Sequence, residues 1–418
     1  MNRSYPAAAG AGAVPRSLLV LGATGTLGRH VTAALRAAGD AVTPLSRGGP
    51  DPLDLTTTAP DELADLLHRY RPDVVVNASG RIWHATEEEL WAVNAEAVAR
   101  LAGVMAALPW RPRLVHLGSV HEYGPGEPGT GIGENRAPAP VTPYGRAKLG
   151  GTRAVLEAVR DQGLDAVVLR VANVFGPGMS PSSLLGGVAE RLARAERGRN
   201  RDDPPLRLRL APLRARRDFV DVRDVADAVV AVARVRTVTE APAPHEGDAT
   251  GTLGMADTAT AAPTRHTTAT TGPAHRRDSA DTADLATAAH PRDTAHTTTA
   301  HTRGRTDTTA PAPARDTTRT AAAADAGRTR RVDPVINVGS GTAVPMRDVV
   351  DRLIALSAVP VLIEPAAPQD PRRVDVEWQQ LDTGRARRLL HWRPRRDPDA
   401  SLRDLLATQR QATTEGLR

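Results

Sequence analysis

Ser119, Tyr144 and Lys148 are the residues of this chain whose types and spacing suit proton transfer. Tyr144 and Lys148 stand four residues apart in the segment "TPYGRAKLGG", which on a helix places them on one face, one turn apart. A phenol, with a reference pKa of about 10, is a poor proton donor or acceptor at neutral pH unless a nearby cation stabilises its anion. Lys148 is the only lysine among 418 residues; every other strongly basic side chain is arginine. A compact ammonium can sit beside a phenol, whereas the planar guanidinium is larger, holds its proton more firmly and points its donors differently. Ser119 follows an apolar run in "LVHLGSVHEYG" that reads as a buried strand, so its hydroxyl is expected at a strand end.

The elements that must position these groups read as alternating strands and helices. "SLLVLGATGTLGRHVTAALRAAGDAVTPLSR" is strand, glycine turn, helix and strand, with Leu18 to Leu21 as the buried strand and Val31 and Leu35 continuing at helical period. Gly22, Gly25 and Gly28 mark the turn, where missing side chains permit a tight bend, close approach of a pyrophosphate and packing of helix on sheet. Further strands are expected around Val74 to Val76, Leu114 to Leu117 and Val167 to Leu169. The alternation implies an α/β fold with a doubly wound parallel (Rossmann) sheet and its chemistry at the carboxyl ends of the strands. Asn77-Ala78-Ser79-Gly80, Ser119 and the Tyr144 to Lys148 segment all fall at such ends.

Composition bounds the alternatives. Hydrophobic content of 40% supports a substantial core, and no continuous apolar run reaches membrane-spanning length. A net charge of +6 raises nucleic-acid binding, but aromatics are 3% and no basic patch interleaves with them, so no nucleic-acid or membrane partner is expected. The lack of cysteine excludes disulfides and thiolate metal sites and suits a cytoplasmic protein. Residues 241–331 are dominated by Thr, Ala, Asp, Arg, His and Pro, with Leu253, Met255 and Leu285 as the only large apolar side chains, so disorder is expected there. Six histidines lie in that stretch at irregular spacing, which reads as solvated coil and not as a metal site. The expected organisation is a flexible extension over 1–16, a dinucleotide-binding core over 17–175 and a substrate-binding segment returning to the core over 176–240. The insert follows over 241–331, and the remaining core elements with a smaller C-terminal substrate-binding segment occupy 332–418.

"GATGTLG", "NASG", a serine ahead of "YG", and "YGRAK", in this order, resemble the extended short-chain dehydrogenase/reductase family, often labelled NAD-dependent epimerase/dehydratase. "RRDFVDVRDVADAV", "VINVGSGTAVPMRDVV" and "LDTGRARRLLHWRP" resemble its later landmarks, and "LDLTTTAPDELADLLHRYRPDVVVNASG" is most similar to the branch of dTDP-4-dehydrorhamnose reductase and related nucleotide-sugar 4-ketoreductases. The resemblance implies an NAD(P)-dependent oxidoreductase in which Lys148 also reaches a cofactor ribose and Ser119 hydrogen-bonds the reacting oxygen near Tyr144. It implies cofactor contacts from Gly22, Thr24, Gly25, Leu27, Gly28, Asn77, Ala78, Ser79, Tyr144 and Lys148, with Asp54 near the adenine. At the end of the second strand, where NAD-preferring sites usually carry an acidic residue, stand Ser46 and Arg47; a hydroxyl and a cation suit a 2′-phosphate, which favours NADPH over NAD or NADH.

Asn173 and Arg217 match family positions that contact a sugar diphosphate, Arg372 is the candidate for a second diphosphate contact, and Ser119 completes the substrate set. Where dehydratases of the family carry an Asp-Glu pair for water elimination, this chain has Val120 and His121, so dehydration is disfavoured; His121 reads first as a structural histidine, with acid–base work as the alternative. The expectation is reduction of the 4-keto group of a nucleotide-activated, dTDP-linked 6-deoxyhexose; members of the family are often homodimers, and the sequence leaves the oligomeric state open. A nucleotide-sugar 4-epimerase retaining NAD is the nearest alternative, and a non-catalytic dinucleotide-sensing protein is the alternative of another class.

Overall fold

A computed structural model describes residues 15–48, 51–200, 202–235, 334–366 and 376–415. The expected coil over 241–331 lies outside the described residues, as do most of the N-terminal extension and Arg372. The described residues fall in one compact unit to which both flanks of that coil contribute. Arg16, expected in the extension, belongs to the fold: its carbonyl accepts from the Ala41 amide and its guanidinium pairs with Asp40 at 3.1 Å.

The first half runs β1 (Ser17–Leu21), α1 (Thr26–Ala37), β2 (Ala41–Leu45), α2 (Pro60–Tyr70) and β3 (Val74–Asn77). It continues through α3 (Glu87–Trp91), a π-helical turn (Ala92–Glu96), α4 (Ala97–Ala107), β4 (Arg113–Ser119), α5 (Pro143–Gln162) and β5 (Ala166–Val171). Then come β6 (Asn173–Phe175), α6 (Leu184–Gly198), β7 (Leu206–Leu210), β8 (Arg216–Asp221) and α7 (Val222–Arg234). Past residue 333 follow β9 (Val335–Val338), β10 (Ala343–Pro345), α8 (Met346–Ala355), β11 (Val361–Pro365), β12 (Trp378–Gln379), α9 (Gly384–Leu390) and α10 (Pro398–Glu415).

The main sheet has the order β2-β1-β3-β4-β5-β9, with all neighbours parallel. Strand alternation splits its side chains between two cores. Leu18, Val20, Val115, Leu117 and Ile336 meet α1 and α7, while Leu19, Leu21, Val75, Leu114 and Val168 meet α2, α4 and α5. On α1 the buried positions are Gly28, Val31, Thr32 and Leu35, the i, i+3, i+4, i+7 stripe that a sheet-facing helix needs. Burying each large aliphatic side chain contributes about 1.5–3 kcal/mol, which is why the stripe fixes how the helix sits. A third core of Phe175, Leu185, Leu192, Leu208, Leu353 and Leu405 joins α6, α8, α10 and the two-stranded sheet β11-β7.

Glu87–Ala107 is one continuous helical stretch and, among the described residues, the one long and apolar enough to cross a membrane by length and composition. Its apolar side chains Val98, Leu101, Ala102 and Met105 sit in the core beside Val155 and Ala158 of α5, so they are accounted for by internal packing. The sequence carries no continuous apolar run here because charged and polar residues interrupt it; the apolar face emerges only on the helix.

Candidate active site

The carboxyl ends of the parallel strands are in register: Leu21 lies opposite Leu45 and Asn77, Asn77 opposite His116, and Ser119 opposite Val171. The glycine turn after β1, Asn77 at the end of β3 and Ser119 at the end of β4 therefore lie at the same edge of the sheet.

At β1 the turn is closed by steric necessity. Gly22 has φ +74°, and a Cβ there would lie 2.7 Å from the backbone N and Cα of Ser79; a Cβ on Gly28 would lie 2.1 Å from the Gly22 carbonyl oxygen. Gly25 caps α1 without a side-chain bond, and its N–H donates to the Gly22 carbonyl, so the first amides of α1 have no side-chain cap. A helix N-terminus behind a side-chain-free turn is suited to a pyrophosphate. Ala78 N–H donates to the Leu21 carbonyl, so the Asn77-Ala78-Ser79 turn abuts the glycine turn. These features fit a dinucleotide, and they do so through contacts a side chain would block.

Past β2, Ser46 is half-buried and its hydroxyl donates to the Gly48 carbonyl at 2.5 Å, while Arg47 is exposed. The Leu53 N–H donates to the Ser46 carbonyl, which brings Asp54 alongside. The Asp54 carboxylate accepts from both the amide and the hydroxyl of Thr56, at 2.9 and 2.6 Å, and these bonds, aided by the Arg47 charge, lower its pKa. Asp54 is thus first the organiser of its own turn.

Tyr144 enters the site because α5 starts beside it. Thr142 caps the helix by accepting from the Gly145 N–H at 3.0 Å, and Pro143 fills the first turn, where a missing N–H costs nothing. Tyr144 is half-buried, and its ring meets His121 edge-on at 5.7 Å between centroids. Desolvation pushes its pKa up to about 12, while the Ser119 hydroxyl acts to hold it down. Lys148 is buried one turn along, with Nζ donating to the Leu117 carbonyl at 2.5 Å. Burial lowers its pKa to about 8, with the Glu122 charge opposing the shift. Burial is the largest cause at both groups, raising the phenol and lowering the ammonium, so the phenol keeps its proton at neutral pH.

Ser119 rests on groups that the sequence reading did not single out. Its N–H donates to Glu122 Oε1 at 2.8 Å, its Oγ accepts from the His121 N–H at 3.2 Å, and Glu122 Oε2 accepts from Arg170 Nε at 2.7 Å. The Arg170 guanidinium stacks 4.4 Å over the ring of Tyr123, whose hydroxyl donates to Asn337 of β9 at 2.8 Å. Both ion-pair partners are buried, and removing one would leave an uncompensated charge, at a cost of about 3–5 kcal/mol. The signal was present: "SVHE" has the form of a capping box.

Asn173 lies just past β5 and donates to the Asp218 carbonyl at 3.1 Å. Register puts Asn173 beside Phe219, and Gln379 beside Arg217, so Asn173, Arg217 and Gln379 share one face of the small sheet around β8. Arg217 and Gln379 are buried, and neither amide atom of Gln379 has a protein partner. The loop after β3 reaches the loop before α6 through His84 Nε2 and Ser182 Oγ, 3.2 Å apart, with Ile82 and Trp83 partly exposed beside it. Among the described residues no cluster of His, Asp or Glu could hold a metal.

Comparison with known proteins places these features in a family. The model of the "NAD dependent epimerase/dehydratase family" matches residues 18–242. A dTDP-6-deoxy-L-talose 4-dehydrogenase (NAD(P)(+)) of Kitasatospora kifunensis is 32% identical over 406 residues, covering 95% of this chain and 97% of that protein. A dTDP-4-dehydrorhamnose reductase of Streptomyces griseus is 37% identical over 38% of this chain and 50% of its own length. Among solved structures, RMD from Pseudomonas aeruginosa complexed with NADPH superposes with a TM-score of 0.63 at 20% identity, covering 95% of this chain and 99% of that one. The UDP-glucose 4-epimerase of Thermotoga maritima does so with 0.61 at 15% identity, covering 95% and 99%; at such identities these two speak for the fold alone. The chain belongs to the NAD dependent epimerase/dehydratase family and is an NAD(P)-dependent oxidoreductase of the extended short-chain dehydrogenase/reductase type.

Proposed function

We propose that the protein reduces the 4-keto group of a nucleotide-diphosphate 6-deoxyhexose, dTDP-linked, with NADPH as the preferred cofactor. The observation that carries this is the placement of Tyr144 at the start of α5 against the turn that follows Ser119 at the end of β4, with Lys148 buried one turn on, in a chain alignable end to end with a dTDP-6-deoxysugar 4-dehydrogenase. A 4-dehydrogenase and a 4-ketoreductase are one reaction read in two directions.

Gly22, Gly25 and Gly28, with Thr24, Leu27 and the α1 amides, hold the pyrophosphate; Ser46 and Arg47 take the 2′-phosphate, with Asp54 towards the adenine. Asn77, Ala78 and Ser79 border the cofactor on its other side, and Tyr144 and Lys148 reach the nicotinamide ribose. When bound, the reduced nicotinamide supplies a hydride to the sugar C4. Ser119 orients the O4 oxygen by hydrogen bonding, and Tyr144 transfers its phenolic proton to the alkoxide forming there. A phenol with a pKa near 12 holds that proton throughout the neutral range and yields it to a stronger base, and the Lys148 ammonium stabilises the phenolate left behind. Asn173, Arg217 and, outside the described residues, Arg372 bind the sugar diphosphate. Water elimination is disfavoured because Val120 is apolar and buried, His121 lies against Tyr144, and Glu122 is engaged by Ser119 and Arg170. The cysteine-free composition fits a cytoplasmic enzyme, and a homodimer belongs to the same proposal.

Incubation of the purified protein with NADPH and a panel of dTDP-4-keto-6-deoxyhexoses tests the reading. NADPH oxidation equimolar with a 4-hydroxy product is expected. Stoichiometric NAD retained through purification, with interconversion of 4-epimers and no net NADPH consumption, would replace it by the epimerase reading.

A further inference from the structure

We propose that His116, a residue with no direct cofactor contact, is a positioning residue that locks the Asn77-Ala78-Ser79 turn in its cofactor-bordering conformation. The side chain of Asn77 is committed at one end: its Oδ1 accepts both the N–H of Ser79, at 3.1 Å, and the Ser79 hydroxyl, at 2.5 Å. Its Nδ2 must then face the other way, where His116 Nδ1 lies 3.3 Å off. An amide nitrogen only donates, so His116 Nδ1 carries a lone pair and the imidazole proton sits on Nε2. Protonation would set a second donor against Nδ2 and break the chain Ser79–Asn77–His116. The surroundings prevent it, since His116 is wholly buried and both that burial and the Lys148 charge drive its pKa far below the ordinary value.

The lock matters because of what the turn touches. Ser79 N and Cα lie where a Cβ on Gly22 would collide, so a rotation of the turn would move it into the glycine turn or away from it. The next residue of β4, Leu117, holds Lys148 through its carbonyl. One two-residue stretch, His116-Leu117, therefore sets the cofactor turn through a side chain and the catalytic lysine through the backbone.

The imidazole is not explained by packing. Its Nε2–H is buried and has no protein partner, a feature that disfavours the folded state and that an aliphatic residue inside the strand would not carry. A side chain kept solely for stability would show the opposite.

The test compares His116→Leu with His116→Asn, whose Oδ1 can occupy the place of Nδ1 and accept from Asn77. NADPH affinity is measured by nicotinamide fluorescence, alongside melting temperature and kcat at saturating cofactor. His116→Leu is expected to melt within a few degrees of the parent yet raise the NADPH Kd tenfold or more, with kcat changed under threefold; His116→Asn is expected to recover most of the affinity. Unchanged NADPH binding in a folded His116→Leu protein overturns the proposal, as does loss of affinity that tracks loss of melting temperature in both variants. The inference rests on the cofactor lying against Asn77-Ser79, which Ser79→Ala checks separately. If Ser79→Ala weakens NADPH binding and His116→Leu does not, the positioning role alone fails. If neither does, the placement of the cofactor fails with it.

Discussion

Lys148 is a buried cation whose pKa falls from 10.5 to about 8, so between those values the unfolded chain holds a proton that the folded chain has shed. Stability contributed at this site therefore rises with pH across that window. The full shift corresponds to about 3 kcal/mol. Lys148→Met is expected to be more stable than the parent by up to that amount at pH 7, with the advantage gone by about pH 10.5 and turnover lost; denaturant melts at several pH values check it, and a pH-independent difference would contradict it. Arg47→Asp sets a carboxylate where a 2′-phosphate is proposed to bind, so it should weaken NADPH far more than NADH. An unchanged ratio of the two affinities removes Arg47 from the site. Ser119, Tyr144 and Lys148 were legible because their types and spacing state a chemistry. Glu122, Arg170 and His116 were not, because each acts through a partner remote in sequence: Arg170 is 48 residues from Glu122, and His116 is 39 from Asn77.

Among the elements, the glycine turn between β1 and α1 has little freedom. Gly22→Ala forces a Cβ to 2.7 Å of the Ser79 backbone at φ +74°, whereas Gly39→Ala meets nothing within 4 Å at φ +88°. Both substitutions carry the left-handed backbone cost of about 1–2 kcal/mol. Only Gly22→Ala should also abolish NADPH binding in protein that remains folded, and equal loss in both would contradict the crowding argument. The parallel strands could be read from apolar runs because they are buried on both faces, and α1 and the start of α5 from helical spacing because each helix buries one face. The small sheet around β8 was less legible. "RRDFVD" mixes charge with apolar residues because one face carries Arg217 while Asp218, on the other, accepts from Ser340, Gly341 and Leu381 of the later segment.

For the molecule as a whole, residues 241–331 interrupt a fold whose two flanks share one sheet. Arg113 of β4 donates to the carbonyls of Val232 and Val235 at the end of α7, and Pro334 accepts from Val168 of β5, the neighbouring strand. The chain thus leaves and re-enters at the same end of adjacent strands. Replacing 241–331 by a short Gly/Ser linker is expected to leave folding and cofactor binding largely intact, because loop closure changes slowly with length. Loss of soluble, NADPH-binding protein would show that this segment is structural. Asn337 of β9, contributed from beyond it, bonds Tyr123 beneath the active site, so the flanks must fold together for the site to form. The central claim is that this site passes hydride to C4 of the sugar and a proton from Tyr144 to O4. It is met most directly by incubating the enzyme with NADPH deuterated at the transferring position and a dTDP-4-keto-6-deoxyhexose, beside Tyr144→Phe and Lys148→Arg proteins of confirmed fold. Deuterium at C4, one NADP formed per hexose reduced, and turnover lower by on the order of a hundredfold or more in both variants is the predicted result. Epimerised product without deuterium, or near-normal turnover in a folded Tyr144→Phe enzyme, would contradict it.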